Sequence, residues 1–324
     1  GKATTEYPDS TSKRTTGVIT LTDTWQQYTI DLAGANLTSI GCGFGFVVTA
    51  GNNRSAAADS GEVVFYLDNI CFRGDIISED TPRFIASYET ENQYIKNAAF
   101  SYDNALCAMA FTALGEQQRA RLILDAFIYA MANDRYATDR VRNAYVYGSP
   151  CSFPGWGGTT RLPGFMMDGA YYEDQYQVGS NLGNTSFVAL AMLKYYARYG
   201  GEVYLQTAQA LAQFALDHWA DADGDGFFAG YDGWPENGVV DTFAYKSVEH
   251  NLDFYAVCSA LYAITGNEQY QTALQSILRL LDSMYDQEQS FFWSGTTEDG
   301  VSPNTSNIVL DVQVWSALAL GDAD

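Results

Sequence analysis

Positive charge is what this chain has least of. Its 324 residues carry 17 Lys plus Arg and 2 His against 39 Asp plus Glu, a formal charge of -22 at neutral pH. Nucleic-acid phosphates and anionic membrane surfaces are bound by clustered cations, so both partner classes are excluded on charge grounds. Long apolar runs are missing too. No stretch approaches the roughly 18 apolar residues that span a bilayer, and no charged-then-apolar leader is read at the start. The five cysteines (Cys42, Cys71, Cys107, Cys151, Cys258) show no C-x-x-C spacing, which argues against a disulfide framework and paired-thiol metal sites. Cys107 and Cys258 fall inside apolar helical runs, as small buried thiols do. Two distant histidines leave a transition-metal centre without ligands. Neither the Gly-x-x-x-x-Gly-Lys phosphate loop nor the Gly-x-Ser-x-Gly nucleophile turn is present.

Apolar and aromatic residues are plentiful. Hydrophobic content is 47% and aromatic content 15%, with 23 Tyr and 6 Trp. That suffices for a substantial core, and the length suggests two domains. An acidic surface suits a protein acting on a neutral substrate, and aromatic rings beyond the needs of the core are what sugar-stacking clefts require.

Residues 1–77 read as strands. Thr24-Trp25-Gln26-Gln27-Tyr28-Thr29-Ile30-Asp31-Leu32 alternates in character, and Gly43–Val48 and Val63–Phe72 follow between turn-rich loops. The strand "W-Q-Q-Y-T-I-D-L" and the later "V-V-F-Y-L-D-N-I-C-F" resemble the last strands of galactose-binding-like β-sandwiches, the jelly rolls common among carbohydrate-binding modules. The resemblance covers about half of such a module, so the expected sandwich is partial or small. Residues 78–98 read as a linker.

From residue 99 to 324 the period becomes helical. Asparagines open four apolar runs, in Tyr102-Asp103-Asn104, Gly183-Asn184-Thr185, His250-Asn251-Leu252 and Ser306-Asn307-Ile308, and the first three runs continue through a glycine turn into a second helix. Such helical hairpins bury their apolar stripes only against one another, which implies a curved or closed array. The segments "S-Y-D-N-A-L", "V-G-S-N-L-G-N-T-S-F-V-A-L-A-M-L" and "K-S-V-E-H-N-L-D-F-Y-A" resemble the (α/α)-barrel glycoside hydrolases and related polysaccharide lyases, whose six hairpins close into a toroid. Three and a half hairpins are read here, so the expected fold is a jelly-roll-like β-sandwich followed by an α/α toroid that is incomplete. The resemblance also implies a secreted or cell-surface protein, and another chain or domain that completes the ring.

Hydrolysis of a glycosidic bond needs one protonated and one ionised carboxyl group. If the array curves, the acidic groups at equivalent hairpin starts converge on one rim. Glu249 is the first choice, beside Tyr245, Lys246 and Tyr255; the helix dipole is its structural alternative. Asp103 is the second, with N-capping as its alternative. Glu173 and Asp174 are substitutes on a long loop. Substrate-binding candidates are His250, Asn251, Asp253, Asp311, Tyr172, Trp156, Trp234 and Trp293. Asp221-Ala222-Asp223-Gly224-Asp225 matches the opening of a calcium loop, but its twelfth position is Asp232 where Glu is expected. Calcium is therefore expected at most as a structural ion, and no cofactor is required.

The leading expectation is hydrolysis of a neutral polysaccharide, a β-glucan by resemblance. A polysaccharide lyase is the second, with Asn251 and His250 neutralising a uronate, a Tyr as acid or base, and Arg135, Arg140 and Arg142 near one loop. A non-catalytic glycan-binding or scaffold protein is the third.

Overall fold

The computed structural model describes residues 15–32, 65–67, 80–92, 94–134, 136, 139–152, 165–167, 170–234 and 239–321. The chain divides into two compact units, Gly1–Arg73 and Gly74–Asp324. In the first unit no strand is formed among the described residues. Trp25 and Tyr28 stand 72% and 51% exposed. Alternation makes a strand only where a partner completes the ladder, and the segments expected to pair with residues 24–32 lie mainly outside the described residues.

The second unit is built from helical hairpins. Helix α1 (Ser101–Leu114) pairs with α2 (Gln117–Asn133); the single turn α3 (Gln175–Val178) precedes α4 (Leu182–Tyr199), which pairs with α5 (Glu202–His218); α6 (Val248–Thr265) pairs with α7 (Glu268–Met284); and α8 (Leu310–Leu320) follows. Gly115 and Gly266 take the left-handed conformation that ends α1 and α6. The first helices of the hairpins form a row, α1 on α4, α4 on α6 and α6 on α8, while α2 and α5 each bridge two consecutive members. Position in this layering explains composition. Helix α7 buries Tyr270, Ala273, Ile277, Leu280, Leu281 and Met284 at three- and four-residue steps, one stripe facing the row. Helix α6 has neighbours on several sides and is apolar around most of its circumference, with Leu252, Phe254, Val257, Cys258 and Leu261 all at 1% exposure or less. Among the described residues no helix is long and apolar enough to cross a membrane.

The long connections are ordered by short antiparallel pairs. Strand β1 (Ala98–Phe100) pairs with β2 (Ala144–Val146), and β3 (Phe165–Met167) with β4 (Ala170–Tyr172). Strands β5 (Ser180–Asn181), β6 (Gly230–Trp234) and β7 (Val239–Thr242) form a three-stranded sheet, and β8 (Tyr285–Asp286) pairs with β9 (Phe291–Phe292).

One contact recurs at the start of three row helices. The fourth residue of α1, Asn104, accepts from the Ile85 amide (2.8 Å) and donates to the Ile85 (3.0 Å) and Phe100 (3.1 Å) carbonyls. The fourth residue of α6, Asn251, treats Phe227 and Ser247 the same way, at 2.9, 2.9 and 2.8 Å. The fourth residue of α8 is Gln313, which takes the Phe292 amide (2.9 Å) and gives to the Phe292 (2.8 Å) and Val309 (3.3 Å) carbonyls. A carboxamide is the one side-chain group that offers an acceptor and two donors in a plane, so it substitutes for a strand neighbour and ties an extended segment to the helix start. Asn251 was expected at the substrate. The structure corrects this: the residue is fully buried and its amide is spent on backbone. Of the other two asparagines, Asn184 donates its backbone amide to Asn181, the N-cap of α4, and its side-chain amide to Asn143, while Asn307 lies exposed ahead of α8.

Replacing Asn251 with Leu leaves the Phe227 amide and carbonyl buried and unpaired. Thermal or urea unfolding is expected to show a loss of about 2–4 kcal/mol, whereas Asn307→Ala changes stability by less than about 0.5 kcal/mol.

Candidate functional site

The row brings the starts of α1, α4 and α6 to one end of the unit, where they surround a cavity of about 400 Å³. Its lining comprises Tyr88, Phe100, Tyr102 and Asp103 from the first hairpin and its approach, Tyr176, Asn181, Gly183 and Asn184 around the start of α4, and Glu249, His250 and Asp253 from α6. Glu249 and Asp103 therefore share one hollow, as the repeat predicts. Asp103 is not the N-cap of its helix; Phe100 occupies that position, and the Asp103 side chain makes no capping bond. Its carboxyl group is left facing the cavity.

The electrostatics are those of acids without cations. Burial raises Glu249 above the ordinary carboxylate range, and the charge of Asp311 on the neighbouring α8 adds to this. The Trp315 indole N–H works the other way, close to Glu249 but short of full hydrogen-bond geometry. Asp253 is pushed well up by burial, then by Glu249 and Asp311. Tyr102 is raised by burial and then by Asp253, Glu249, Asp103 and Asp311. Among the described residues no Lys or Arg forms an ion pair with any of these four acids.

His250 lies beside them, partly buried. Burial lowers its imidazole to about 4, opposed by a hydrogen bond to the Ala229 backbone, and its Nδ1 has no hydrogen-bond partner. The ring lies against the first turn of α4 at Gly183, where a Cβ would fall 2.5 Å from the imidazole. Only glycine lets the two helix starts approach this closely.

Aromatic rings form the rest of the wall. Phe100 sits 5.8 Å from Tyr88 and 6.3 Å from Tyr176 between ring centroids. Tyr88 and Tyr176 remain about half exposed. Sequence reasoning missed Tyr88, Phe100 and Tyr102. For Tyr102 its place beside Asp103 was a usable signal; Tyr88 and Phe100 reach the cavity from the approach to α1 and carried none.

Other expected site residues are placed elsewhere. Glu173 accepts from Arg142 (2.9 Å) and from the Tyr136 hydroxyl (2.9 Å), inside a buried group in which Arg142 also binds Asp134 (2.7 Å). Asp174 is the N-cap of α3, accepting from the Gln177 amide at 2.7 Å. Neither lines the cavity, because both acids are occupied in folding the loop. Asp311 is exposed and lines a neighbouring hollow of about 460 Å³ with Val309, Leu310, Val314 and Trp315. Tyr172 is exposed on β4, Trp234 lies on β6, and Trp293 packs edge-on against Phe291 at 4.6 Å; none of the three lines either hollow. Trp156 falls outside the described residues.

Two charge expectations change as well. Lys246 does not reach toward Glu249: its ammonium binds the Asp221 carboxylate and the Asp225 carbonyl (2.7 Å). Asp225 pairs with Arg279 at 2.7 Å, and the Asp221 carboxylate also accepts from the Asp223 amide. The loop expected to hold calcium thus has side-chain cations against its acids. Among the described residues no group of three or more His, Cys, Asp or Glu side chains converges as a metal site. Arg140 and Arg142 are buried against Asp134, not presented to a uronate.

No family model matches this sequence, and no curated protein does. Solved structures do. A D-mannose isomerase superposes with a TM-score of 0.51 at 17% identity, covering 69% of this chain and 56% of that one. The likeness is one of fold, carried by the row of helical hairpins. Two further matches are looser: a GH76 α-mannanase from Bacteroides thetaiotaomicron (TM-score 0.45, 15% identity, 75% of this chain and 61% of that one) and the endo-β-1,4-glucanase CMCax from Acetobacter xylinum (0.48, 10% identity, 72% and 69%). The chain spans less than two thirds of the length of the isomerase and the mannanase.

The depressed imidazole has a measurable consequence. His250 stays neutral in the folded state down to about pH 4, while the unfolded chain takes up that proton near pH 6.5. Folding stability contributed by His250 is therefore present above pH 6.5 and lost as pH falls toward 4. Imidazole NMR shifts for His250 should hold still from pH 8 to 5; a midpoint near 6.5 would contradict its desolvated setting.

Proposed function

We propose that the toroid unit is a glycoside hydrolase acting on a neutral polysaccharide, a β-glucan in the first instance. The observation that carries this is the convergence of Asp103, Glu249 and Asp253 on one cavity with an aromatic wall and, among the described residues, no paired cation. Glu249, raised by burial, serves as general acid and protonates the leaving oxygen; Asp103, facing the same hollow, activates water as general base. Tyr88 and Tyr176 offer apolar faces with polar edges, the combination a pyranose ring requires. A neutral substrate fits the field, since an anionic sugar would meet these acids with no cation to balance it. The lyase alternative loses Asn251, Arg140 and Arg142, which are committed to the fold; Arg135 lies outside the described residues. Residues 1–77 are proposed to be a carbohydrate-binding module, and the protein to act outside the cell; both rest on the resemblance of the strands and the toroid.

His250 favours a second reading. A neutral imidazole at the cavity, its Nδ1 without a hydrogen-bond partner, suits proton transfer at a sugar carbon, and one solved structure similar in fold is that of a D-mannose isomerase. Hydrolysis makes new reducing ends; isomerisation converts a free monosaccharide without making any.

A panel of soluble β-glucans, mannans and free hexoses, read by reducing-end release, ultraviolet absorbance and sugar chromatography together, separates the readings. The expectation is reducing ends without absorbance, lost about 10²–10⁴-fold in kcat on Glu249→Gln. Monosaccharide conversion that survives Glu249→Gln but not His250→Gln would replace the hydrolase with the isomerase.

A further inference from the structure

Glu249 and Asp253 are four residues apart on α6, a spacing that sets two side chains on one helix face. Both line the cavity, Asp253 at its more buried side with 7% exposure and with no hydrogen-bond partner on Oδ2. The groups around them are Tyr102 and Asp103 from α1, Asp311 from α8 and the neutral His250 of α6 itself. All are acids or neutral. A buried carboxylate with neither cation nor donor relieves its desolvation by keeping a proton, and two interacting carboxyls titrate as a pair.

We propose that Asp253 is a positioning residue for the catalytic proton, the Glu249 and Asp253 carboxyls holding one proton between them until Glu249 delivers it. This rests on the hydrolytic reading above. In the delivery step the proton passes to the glycosidic oxygen as the bond to the anomeric carbon breaks. Water adds its oxygen to that carbon, the water proton goes to Asp103, and the pair is reloaded by proton transfer from solvent. Repulsion within the doubly ionised pair favours reloading at neutral pH.

Two tests need no substrate. Across pH 4 to 8 the contribution of Asp253 to the parent's stability rises as pH falls, because its folded state binds the extra proton, while the His250 contribution runs the other way in parent and variant alike; the neutral amide of Asp253→Asn has no proton to bind. The Tm of Asp253→Asn is therefore expected to exceed the parent's by at least about 3 °C at pH 8, the gap closing toward pH 4. A gap that is negative or constant with pH overturns the pair. Should the variant fail to fold, carboxyl carbon-13 NMR of the parent and Glu249→Gln decides: the Asp253 midpoint drops by at least about one pH unit if the charges are coupled, and an unmoved midpoint overturns the proposal. On a cleavable β-glucan, Asp253→Asn should move the alkaline limb of kcat/KM to lower pH with KM nearly unchanged, whereas a uniform loss at all pH values marks a merely structural residue. A parent that cleaves nothing in the panel defeats the hydrolytic reading and the delivery step, while unfolding and NMR still decide the shared proton.

Discussion

A side-chain amide at the fourth position of a helix holds this architecture in register. Asn104, Asn251 and Gln313 each present one acceptor and two donors to backbone, and each fixes an incoming segment (at Ile85, Phe227 or Phe292) against the first turn of its helix. Apolar stripes pack helices side by side but leave them free to slide along their axes, since hydrophobic contact is non-directional. A planar set of three hydrogen bonds does not slide. With the starts of α1 and α6 tied in this way, and that of α4 through Asn181, Asn184 and Asn143, the polar first turns stay level and their side chains meet.

That alignment creates the electrostatic problem on which the proposed chemistry depends. Few cations exist in the chain, and several of those present are drawn into folding the loops: Arg140 and Arg142 to Asp134, Lys246 to Asp221, Arg279 to Asp225. The Asp134 carboxyl, despite its burial, stays below the usual range because Arg142 and Arg140 surround it. Glu249 and Asp253 receive no such partner among the described residues and move the opposite way. One chain thus contains buried carboxyls held as anions and buried carboxyls pressed toward the acid form, with the difference set by where a guanidinium can reach. Groups in the second state cost stability, and such costs concentrate where a protein acts.

Much of the helical half was legible. Periodic apolar runs place all three hairpins, because a stripe at three- and four-residue steps has few other uses in a folded chain. The shared rim of Glu249 and Asp103 follows from their both lying in the first turn of a hairpin's leading helix. Roles were less legible than positions. Asn251 looked like a substrate contact, yet Phe227 claims its amide; Glu173 and Asp174 looked available, yet Arg142 and the α3 turn claim them. Sequence gives each polar residue its chemistry but not its competitors, and a buried amide or carboxyl goes to whichever partner the fold brings nearest.

Composition and period by themselves determined an acidic, cation-poor protein with tandem helical hairpins whose leading ends carry acids. Tertiary structure decided which acids remain unpaired, that Asp253 lies beside Glu249 on the buried side, and that Tyr88 and Phe100 wall the cavity. The reason is physical: helical spacing is local and written in consecutive residues, whereas the field at a carboxyl sums over charges, dipoles and lost water that arrive from distant parts of the chain.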